Sequence, residues 1–448
     1  MSPAPNPQRT VIAGLGATGL SVARWLAARG EIFAVVDTRA EPPGLAALRA
    51  EHPEVPVFLG ALDAELLARA TRVIASPGLA LAEPALAAAA VAGVEIIGDI
   101  ELFARAARAP VVAITGSNGK STVTELVGAM AAAAGRRVAV GGNLGTPALE
   151  LLAPEVELYV LELSSFQLET TQALNAEVAT ILNLTPDHLD RYADLDAYRR
   201  AKLRIFRGAR QAVVNRDDPA AQPLLAPAVA CRSFGLSVPA AANEFGLVAR
   251  ADGAWLAQGA RALLPVAALG LQGRHNVANA LAALALGTAA GLPEAAMLAA
   301  LRTFSGLAHR CQRVLVRAGI TWIDDSKATN VGAAIAALAG FDDGSERLVL
   351  IAGGQGKGQD FGAFAAALPG RVRLAILLGE DAPAIDRAIA GRVPVQHAAS
   401  MAAAVAQAQA TARPGDLVLL SPACASFDMF ANYAARGAAF AQAARSLP

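Results

Sequence analysis

Three cysteines in 448 residues, Cys231, Cys311 and Cys424, stand far apart and at no metal-ligand spacing, which excludes a disulfide framework and a cysteine-built zinc site. Neither sign of charge is in excess. With 38 Lys plus Arg against 38 Asp plus Glu, the chain lacks the electrostatic footprint of a nucleic-acid or anionic-membrane partner. Small-molecule substrates fit better. Long apolar runs are also missing: Met1-Ser-Pro-Ala-Pro-Asn-Pro-Gln-Arg9 has no signal-peptide core, and the least polar stretch, near 277–292, is Ala- and Gly-rich and interrupted by Asn279. A cytoplasmic, soluble protein is expected. No fixed period recurs, so the Ala-rich tracts at 85–92 and 402–410 read as helix composition rather than repeats. A chain this long should divide into two or three domains, each with its own core.

What is present centres on residues 111–122, Val-Val-Ala-Ile-Thr-Gly-Ser-Asn-Gly-Lys-Ser-Thr. The β-branched run predicts a buried strand, Gly116 and Gly119 a loop whose N–H groups turn inward, and Ser121 the start of a helix. That is a cradle for phosphate, formed by Gly116, Ser117, Asn118 and Gly119. Lys120 is placed to reach the outer phosphates of a nucleotide, and Ser121 or Thr122 to offer a hydroxyl to Mg²⁺. Only Ser117 and Asn118 separate the glycines, so the loop is a variant of the usual pattern.

Before it, the strand 10–14 leads into Gly14-Leu-Gly16-Ala-Thr-Gly19 and a helical pattern, and the strand 32–36 ends at Asp37. This is the dinucleotide fingerprint, and it suits NAD or any other nucleotide diphosphate, a UDP-sugar included. Strands near 73–76 and 94–97 complete a parallel sheet, and a helix over 100–108 ends the first domain. Strands then recur at 137–141, 157–161, 178–182 and 211–214, alternating with helices as in a second α/β sheet. Glu162 and His188 are expected at the carboxyl ends of neighbouring strands, where open α/β sheets bind ligands; each alone reads equally as a buried hydrogen-bonded group. Lys202, in a mixed basic and apolar helix over 196–206, reads by itself as a solvated charge. Asn276 and Asn279 share a helix face that either reads a base edge or caps the helix. A third alternation of strand and helix begins near 308, with strands at 311–317 and 320–324, and its loops carry Asp325 to Asn330, Gly353 to Lys357 and Ser421 to Asp428. Lys357 would suit a carboxylate.

These motifs resemble the Mur ligase family of peptidoglycan synthesis over essentially the whole chain. The resemblance rests on Thr115-Gly-Ser-Asn-Gly-Lys-Ser-Thr122, Glu162-Leu-Ser-Ser-Phe-Gln167, Asn183-Leu-Thr-Pro-Asp-His188-Leu-Asp-Arg-Tyr192, Ala201-Lys-Leu-Arg204, His275-Asn-Val-Ala-Asn279, His309-Arg310, Asp325-Ser-Lys-Ala-Thr-Asn330 and Ser421-Pro-Ala-Cys-Ala-Ser426. The last two, with Asp37-Thr38-Arg39, point to the member that adds D-glutamate.

The resemblance implies three α/β domains: a Rossmann-like domain over 1–108 for UDP, a central P-loop ATPase-type domain over 109–307 for ATP, and a Rossmann-like C-terminal domain over 308–448 for the incoming amino acid. It implies an ATP-dependent ligase joining D-glutamate to UDP-N-acetylmuramoyl-L-alanine through an acyl phosphate, acting as a monomer. Lys120 would hold the γ-phosphate. Ser121 and Glu162 would bind one Mg²⁺, His188 a second, and Lys202 would be carbamylated to give that second ion an oxygen ligand. Asn276, Asn279, Arg310, Asp325 and Lys327 match the nucleotide side. Thr18, Asp37, Thr38, Arg39, Gly78 and Asn143 match the UDP-substrate side, and Thr329, Lys357, Ser426 and Phe427 the D-glutamate side. Domain closure about a hinge near 305–310 is expected on binding. Folylpolyglutamate synthetase shares such a loop but has no use for the Gly14–Gly19 domain. An NAD-dependent dehydrogenase leaves Lys120, Glu162 and His188 idle, and a nucleotide-binding regulator would engage ATP without regard to any amino acid.

Overall fold

The computed structural model describes residues 9–188, 191–271, 273–341, 345 and 347–447; Leu189 and Asp190 of the His188 motif, and the segment 1–8, lie outside the described residues. The chain divides into two compact units, Met1–Leu263 with Leu281–Ala300, and Leu264–Ala280 with Leu301–Pro448. Three sheets flanked by helices give the three-domain α/β architecture expected.

The first unit opens with a parallel sheet of β1 Thr10–Ala13, β2 Phe33–Asp37, β3 Val57–Leu59, β4 Arg72–Ala75 and β5 Glu95–Ile97, in the order β3-β2-β1-β4-β5. Order reverses at β1, the position where such sheets open a ligand crevice. The glycine loop sits there, and its residues have different tasks. A side chain on Gly19 would place its Cβ 1.9 Å from the Gly14 carbonyl oxygen, so helix and strand pack too closely for anything larger. Gly16 faces open space instead. Gly19→Ala is therefore expected to cost about 2–4 kcal/mol in urea unfolding, and Gly16→Ala well under 1 kcal/mol.

The second sheet contains β6 Val111–Thr115, β7 Val138–Gly142, β8 Leu158–Glu162, β9 Val178–Ile181, β10 Gln211–Asn215, β11 Ala230–Phe234, β12 Glu244–Arg250, β13 Gly253–Gln258 and β14 Arg261–Pro265. Its order is β14-β13-β12-β11-β10-β9-β6-β8-β7, parallel from β7 to β12 and antiparallel between β12 and β13. All five residues of β6 are buried, as their β-branched character predicts. One apolar core continues from the first sheet into the second, with Ile12, Phe103, Tyr159 and Ile181 among its members. The order corrects one expectation: β6 lies between β8 and β9, so the strands leading to Glu162 and His188 are not neighbours, and His188 stands not at a strand end but in the loop beyond β9.

The second unit holds β15 Gln312–Arg317, β16 Ile320–Asp324, β17 Leu348–Gly353, β18 Val372–Leu378, β19 Val395–His397 and β20 Leu417–Leu420, in the order β15-β16-β20-β17-β18-β19. Only the edge strand β15 runs antiparallel. Its apolar layers include Ile323, Leu350 and Phe364 on one face and Trp322, Ile351 and Phe440 on the other.

Candidate active site

β6 runs into the loop and then into the helix Lys120–Ala133, whose cap, Gly119, is left-handed at φ 81°. Gly119 offers no side chain to cap that helix, and the positive end of the helix faces the loop. The loop is fastened from below by Asn183. Its Oδ1 accepts from the Asn118 N–H (2.8 Å), its Nδ2 donates to the Asn118 carbonyl (3.0 Å), and its own carbonyl accepts from the Ser117 N–H (3.0 Å). Ser117 Oγ donates to the Thr185 carbonyl at 2.9 Å and lies 3.2 Å from the Tyr198 hydroxyl. Ser121 and Thr122 are buried at the helix start.

Two lysines converge on one carbonyl. Lys120 Nζ donates to Gly116 O (2.9 Å) and Ser117 O (3.0 Å); Lys202 Nζ reaches the same Gly116 O (3.0 Å) and Thr115 Oγ1 (3.1 Å). Lys202 comes from the helix Leu195–Leu203, is 2% exposed, and lies 4.7 Å from the centre of the Tyr198 ring. The solvated reading of this lysine is thereby overturned. Burial drives its pKa well below the usual lysine value and repulsion from Lys120 adds to this, while Asp187 and Glu162 oppose it.

Glu162 ends β8 and is buried. Its Oε1 accepts from Asn143 Nδ2 (2.7 Å), and its carbonyl from the Asn143 N–H (2.8 Å). Its Oε2 is buried and has no hydrogen-bond partner among the described residues. A buried, half-satisfied carboxylate beside a phosphate cradle fits a hard cation. His188 is exposed, at φ 54°, with its ring 4.8 Å from that of Phe166 and its Nε2 3.7 Å from Asp187 Oδ2. Among the described residues no group of three or more His, Cys, Asp or Glu is arranged to hold a metal, so a cation here must draw on other donor types as well.

At the first sheet, Asp37 is buried and clamps the glycine loop. Its Oδ2 accepts from the Leu15 N–H (2.7 Å), and both oxygens bond the Arg39 guanidinium (2.8 and 2.7 Å). Burial works to raise its pKa, but the hydrogen bonds from Arg39 and Leu15 prevail and hold it down at about 2. Thr38 and Gly78 are exposed and Thr18 half-buried. Asn143 pairs with Glu162 as described.

Asp99 joins the first sheet's end to the Glu162 motif through Gln167, whose Nε2 donates to Asp99 Oδ2 at 3.3 Å. Burial pushes the Asp99 carboxyl up to about 6 from 3.8. The folded state therefore holds this proton more tightly than the unfolded chain. Its contribution to stability is complete below about pH 4 and is lost as pH rises to about 6. Asp99→Asn is expected to stabilise the protein by about 1–3 kcal/mol at pH 8 and hardly at all at pH 4, measured by urea unfolding at both.

In the second unit, Asn279 Nδ2 donates to Asn276 Oδ1 (3.0 Å), so the two amides do share a helix face. Asp325 accepts from Ser421 Oγ (2.8 Å) and the Cys311 N–H (3.2 Å), and burial pushes its carboxyl up to about 7. Arg310 and Lys327 flank it in sequence, and Lys327 Nζ lies 5.2 Å from the Tyr433 ring centre. Thr329 is half-buried, Ser426 is buried, and Lys357 is exposed with its Nζ 5.4 Å from the ring centre of Phe427.

Arg436 was not singled out from sequence. Its buried guanidinium donates to Ser326 O and Oγ (2.8 and 2.9 Å), Cys424 O (3.0 Å), Ala425 O (3.2 Å) and Gly353 O (3.4 Å). It thus ties together the three loops that carry Thr329, Lys357 and Ser426. Asn183 and Tyr198 were also missed as site residues. Tyr198 stands four residues before Lys202 on one helix face, a spacing that signals shared surroundings.

Residues 8–98, 114–287 and 309–424 match, in turn, the family models for the N-terminal domain of MurD-like Mur ligases, the Mur ligase middle domain and the Mur ligase glutamate ligase domain. The chain is 58% identical over 438 residues to the UDP-N-acetylmuramoylalanine–D-glutamate ligase of Pseudomonas aeruginosa, covering 98% of both. It is 54% identical over 439 residues to that of Nitrosococcus oceani, covering 98% of this chain and 96% of the other. The solved UDP-N-acetylmuramate-alanine ligase of Thermotoga maritima shares the fold, with a TM-score of 0.59 at 20% identity over 98% of this chain and 99% of that one.

Proposed function

The chain belongs to the Mur ligase family, and we propose that it joins D-glutamate to the L-alanyl carboxylate of UDP-N-acetylmuramoyl-L-alanine, converting ATP to ADP and phosphate. Full-length relatives of that name support the substrate pair. The observation that carries the chemistry is the convergence of Lys120 and Lys202 on Gly116 O beside a buried carboxylate with one unpartnered oxygen.

A carboxylate is a poor electrophile. It first takes the γ-phosphoryl group of ATP, and the amine of D-glutamate then attacks the acyl phosphate and expels phosphate. The protein's part is positioning and charge stabilisation. The loop N–H groups from Gly116 to Lys120 hold phosphate oxygens, and Lys120 turns from the loop carbonyls to the γ-phosphate. Glu162 and Ser121 would hold one Mg²⁺; His188, with Lys202 as its carbamate, a second. Bound Mg²⁺ would neutralise charge on the transferring phosphoryl oxygens. Asn143 orients Glu162 through its hydrogen bond and lies toward the sugar.

We assign residues 1–108 to the UDP moiety, 109–307 to ATP and 308–448 to the incoming amino acid. Thr18, Asp37, Thr38, Arg39 and Gly78 serve the first; Asn276, Asn279, Arg310, Asp325 and Lys327 the nucleotide; and Thr329, Lys357, Ser426 and Phe427 the incoming D-glutamate. No helix among the described residues is long and apolar enough to cross a membrane, in keeping with a precursor-synthesis step in the cytoplasm.

The test is phosphate release from ATP and Mg²⁺ with UDP-N-acetylmuramoyl-L-alanine, comparing D-glutamate with L-glutamate, meso-diaminopimelate and no amino acid. Release with D-glutamate alone is expected. Release with another amine would move the chain to another place in the family, and release independent of any amine would sink the ligase reading.

A further inference from the structure

A cavity of about 550 Å³ lies in the first unit, between the turn at Ala80–Ala82 and the helix Leu195–Leu203, and no phosphate-loop residue lines it. Four arginines line it, Arg191, Arg200, Arg204 and Arg207, against one carboxylate, Glu169. The chain as a whole carries no net charge, so this excess is local.

The four guanidiniums fall into two pairs. Arg191 is anchored: it donates to the carbonyls of Pro77 (3.0 Å) and Leu79 (2.6 Å), stacks 4.2 Å from the Phe166 ring centre and lies 3.6 Å from Glu169. Arg204 is anchored too, donating to Leu168 O (2.6 Å) and Thr171 O (3.0 Å). These bonds are to neutral carbonyls, which fix the side chains but leave their charge standing. Arg200 and Arg207 are exposed and make no ion pair or side-chain hydrogen bond among the described residues. Burial and the nearby Arg207 charge both lower the pKa of Arg204, and the carboxylates of Glu169 and Glu101 oppose this without cancelling it.

We propose that this cavity is an accessory binding site for a compact, multiply charged anion of the oligophosphate class. Two held guanidiniums supply a fixed positive field at its wall, and two unengaged ones supply forked donors that can close on phosphate oxygens. A monoanion would relieve the repulsion only in part, whereas a polyanion can engage both unengaged forks at once. The cavity is large enough for a small ligand.

Inorganic pyrophosphate without Mg²⁺ is the probe. Calorimetric titration of the full chain should show one binding event that the Arg200→Ser/Arg207→Ser variant lacks or makes at least about tenfold weaker, with an unfolding midpoint unchanged. Arg200→Lys/Arg207→Lys, keeping the charge but losing the forked donors, should bind more weakly than wild type and more tightly than the serine variant, and orthophosphate should bind much more weakly than pyrophosphate. Any pyrophosphate taken up at the nucleotide sites is common to all variants and cancels in the comparison. Superimposable isotherms for wild type and the serine variant would overturn the proposal. Independently of folding in any variant, phenylglyoxal labelling of the wild type should be slowed by pyrophosphate at Arg200 and Arg207; equal labelling with and without it would overturn the proposal as well.

Discussion

Lys120→Ala is expected to lower kcat for D-glutamate-dependent phosphate release by about 10³-fold or more, roughly 4 kcal/mol of transition-state stabilisation. The position of the ammonium argues for this size. Lys120 is the first residue of its helix, at its positive end, and its Nζ already touches the loop at Gly116 O and Ser117 O. A γ-phosphoryl group in transfer spreads negative charge over oxygens that backbone dipoles alone neutralise incompletely. Removing a cation there costs more in the transition state than in the ground state, so kcat should fall further than KM for ATP rises. Affinity for UDP-N-acetylmuramoyl-L-alanine, measured by calorimetry without ATP, should stay within about threefold, because that substrate is assigned to the first sheet. Equal loss of affinity for both substrates would show that the variant disturbs the whole unit rather than the phosphoryl step.

Much of this arrangement was legible in the sequence because it rests on local rules. A β-branched run followed by glycines and a lysine predicts a buried strand, an anion loop and a helix start, and β6, Gly119 and the helix at Lys120 follow that order. The pairing of Asn276 with Asn279 follows from helical spacing. What was not legible depends on neighbours distant in sequence. The order β9-β6-β8 puts the loop strand between the strands that lead to Glu162 and to His188, the loop beyond β9 carries His188 to the ring of Phe166, and nothing in either strand states this. β11 to β14 are hard to read because exposed and buried positions do not alternate strictly along them, as in β13, where two exposed residues precede two adjacent buried ones. β3 is only three residues long and none of them is fully buried.

The least legible features were charged side chains in unexpected interiors. Lys202 stands near Arg199 and Arg200 and so reads as part of a solvated basic face, yet its helix turns that one position into the wall of the phosphate loop. Arg436 sits in an Ala-rich helix, Tyr433–Arg445, and its five carbonyl and hydroxyl acceptors come from Gly353, Ser326 and Cys424–Ala425, loops brought together only by the third sheet. Periodicity finds the buried face of a helix; it does not find what that face is pressed against.

Lys202→Ala is the second large effect, an expected loss of about 10²–10³-fold in kcat, and it is distinguished from Lys120→Ala by its rescue. An unmodified ammonium at Lys202 would repel both Lys120 and any metal held by Glu162. Burial already favours the neutral amine. A neutral amine has two N–H donors, and Lys202 has two acceptors within reach, Gly116 O and Thr115 Oγ1, the latter giving its own proton to Leu163 O at 2.7 Å. The nitrogen lone pair is then left for CO₂, whereas an ordinary exposed lysine, with a pKa near ~10.4, is almost wholly protonated at neutral pH. Attack on CO₂ forms an N–C bond and releases a proton, turning a disfavoured cation into an anion with oxygen donors. Acetate or formate at high concentration should therefore restore roughly tenfold of the activity lost in Lys202→Ala by occupying the space of the missing carbamate. Lys202→Arg should be as inactive and not respond, since a guanidinium stays charged and forms no carbamate. Full activity in Lys202→Ala, or equal failure of rescue in both variants, would remove the carbamate from the mechanism and leave Lys202 as a buried prop of the loop.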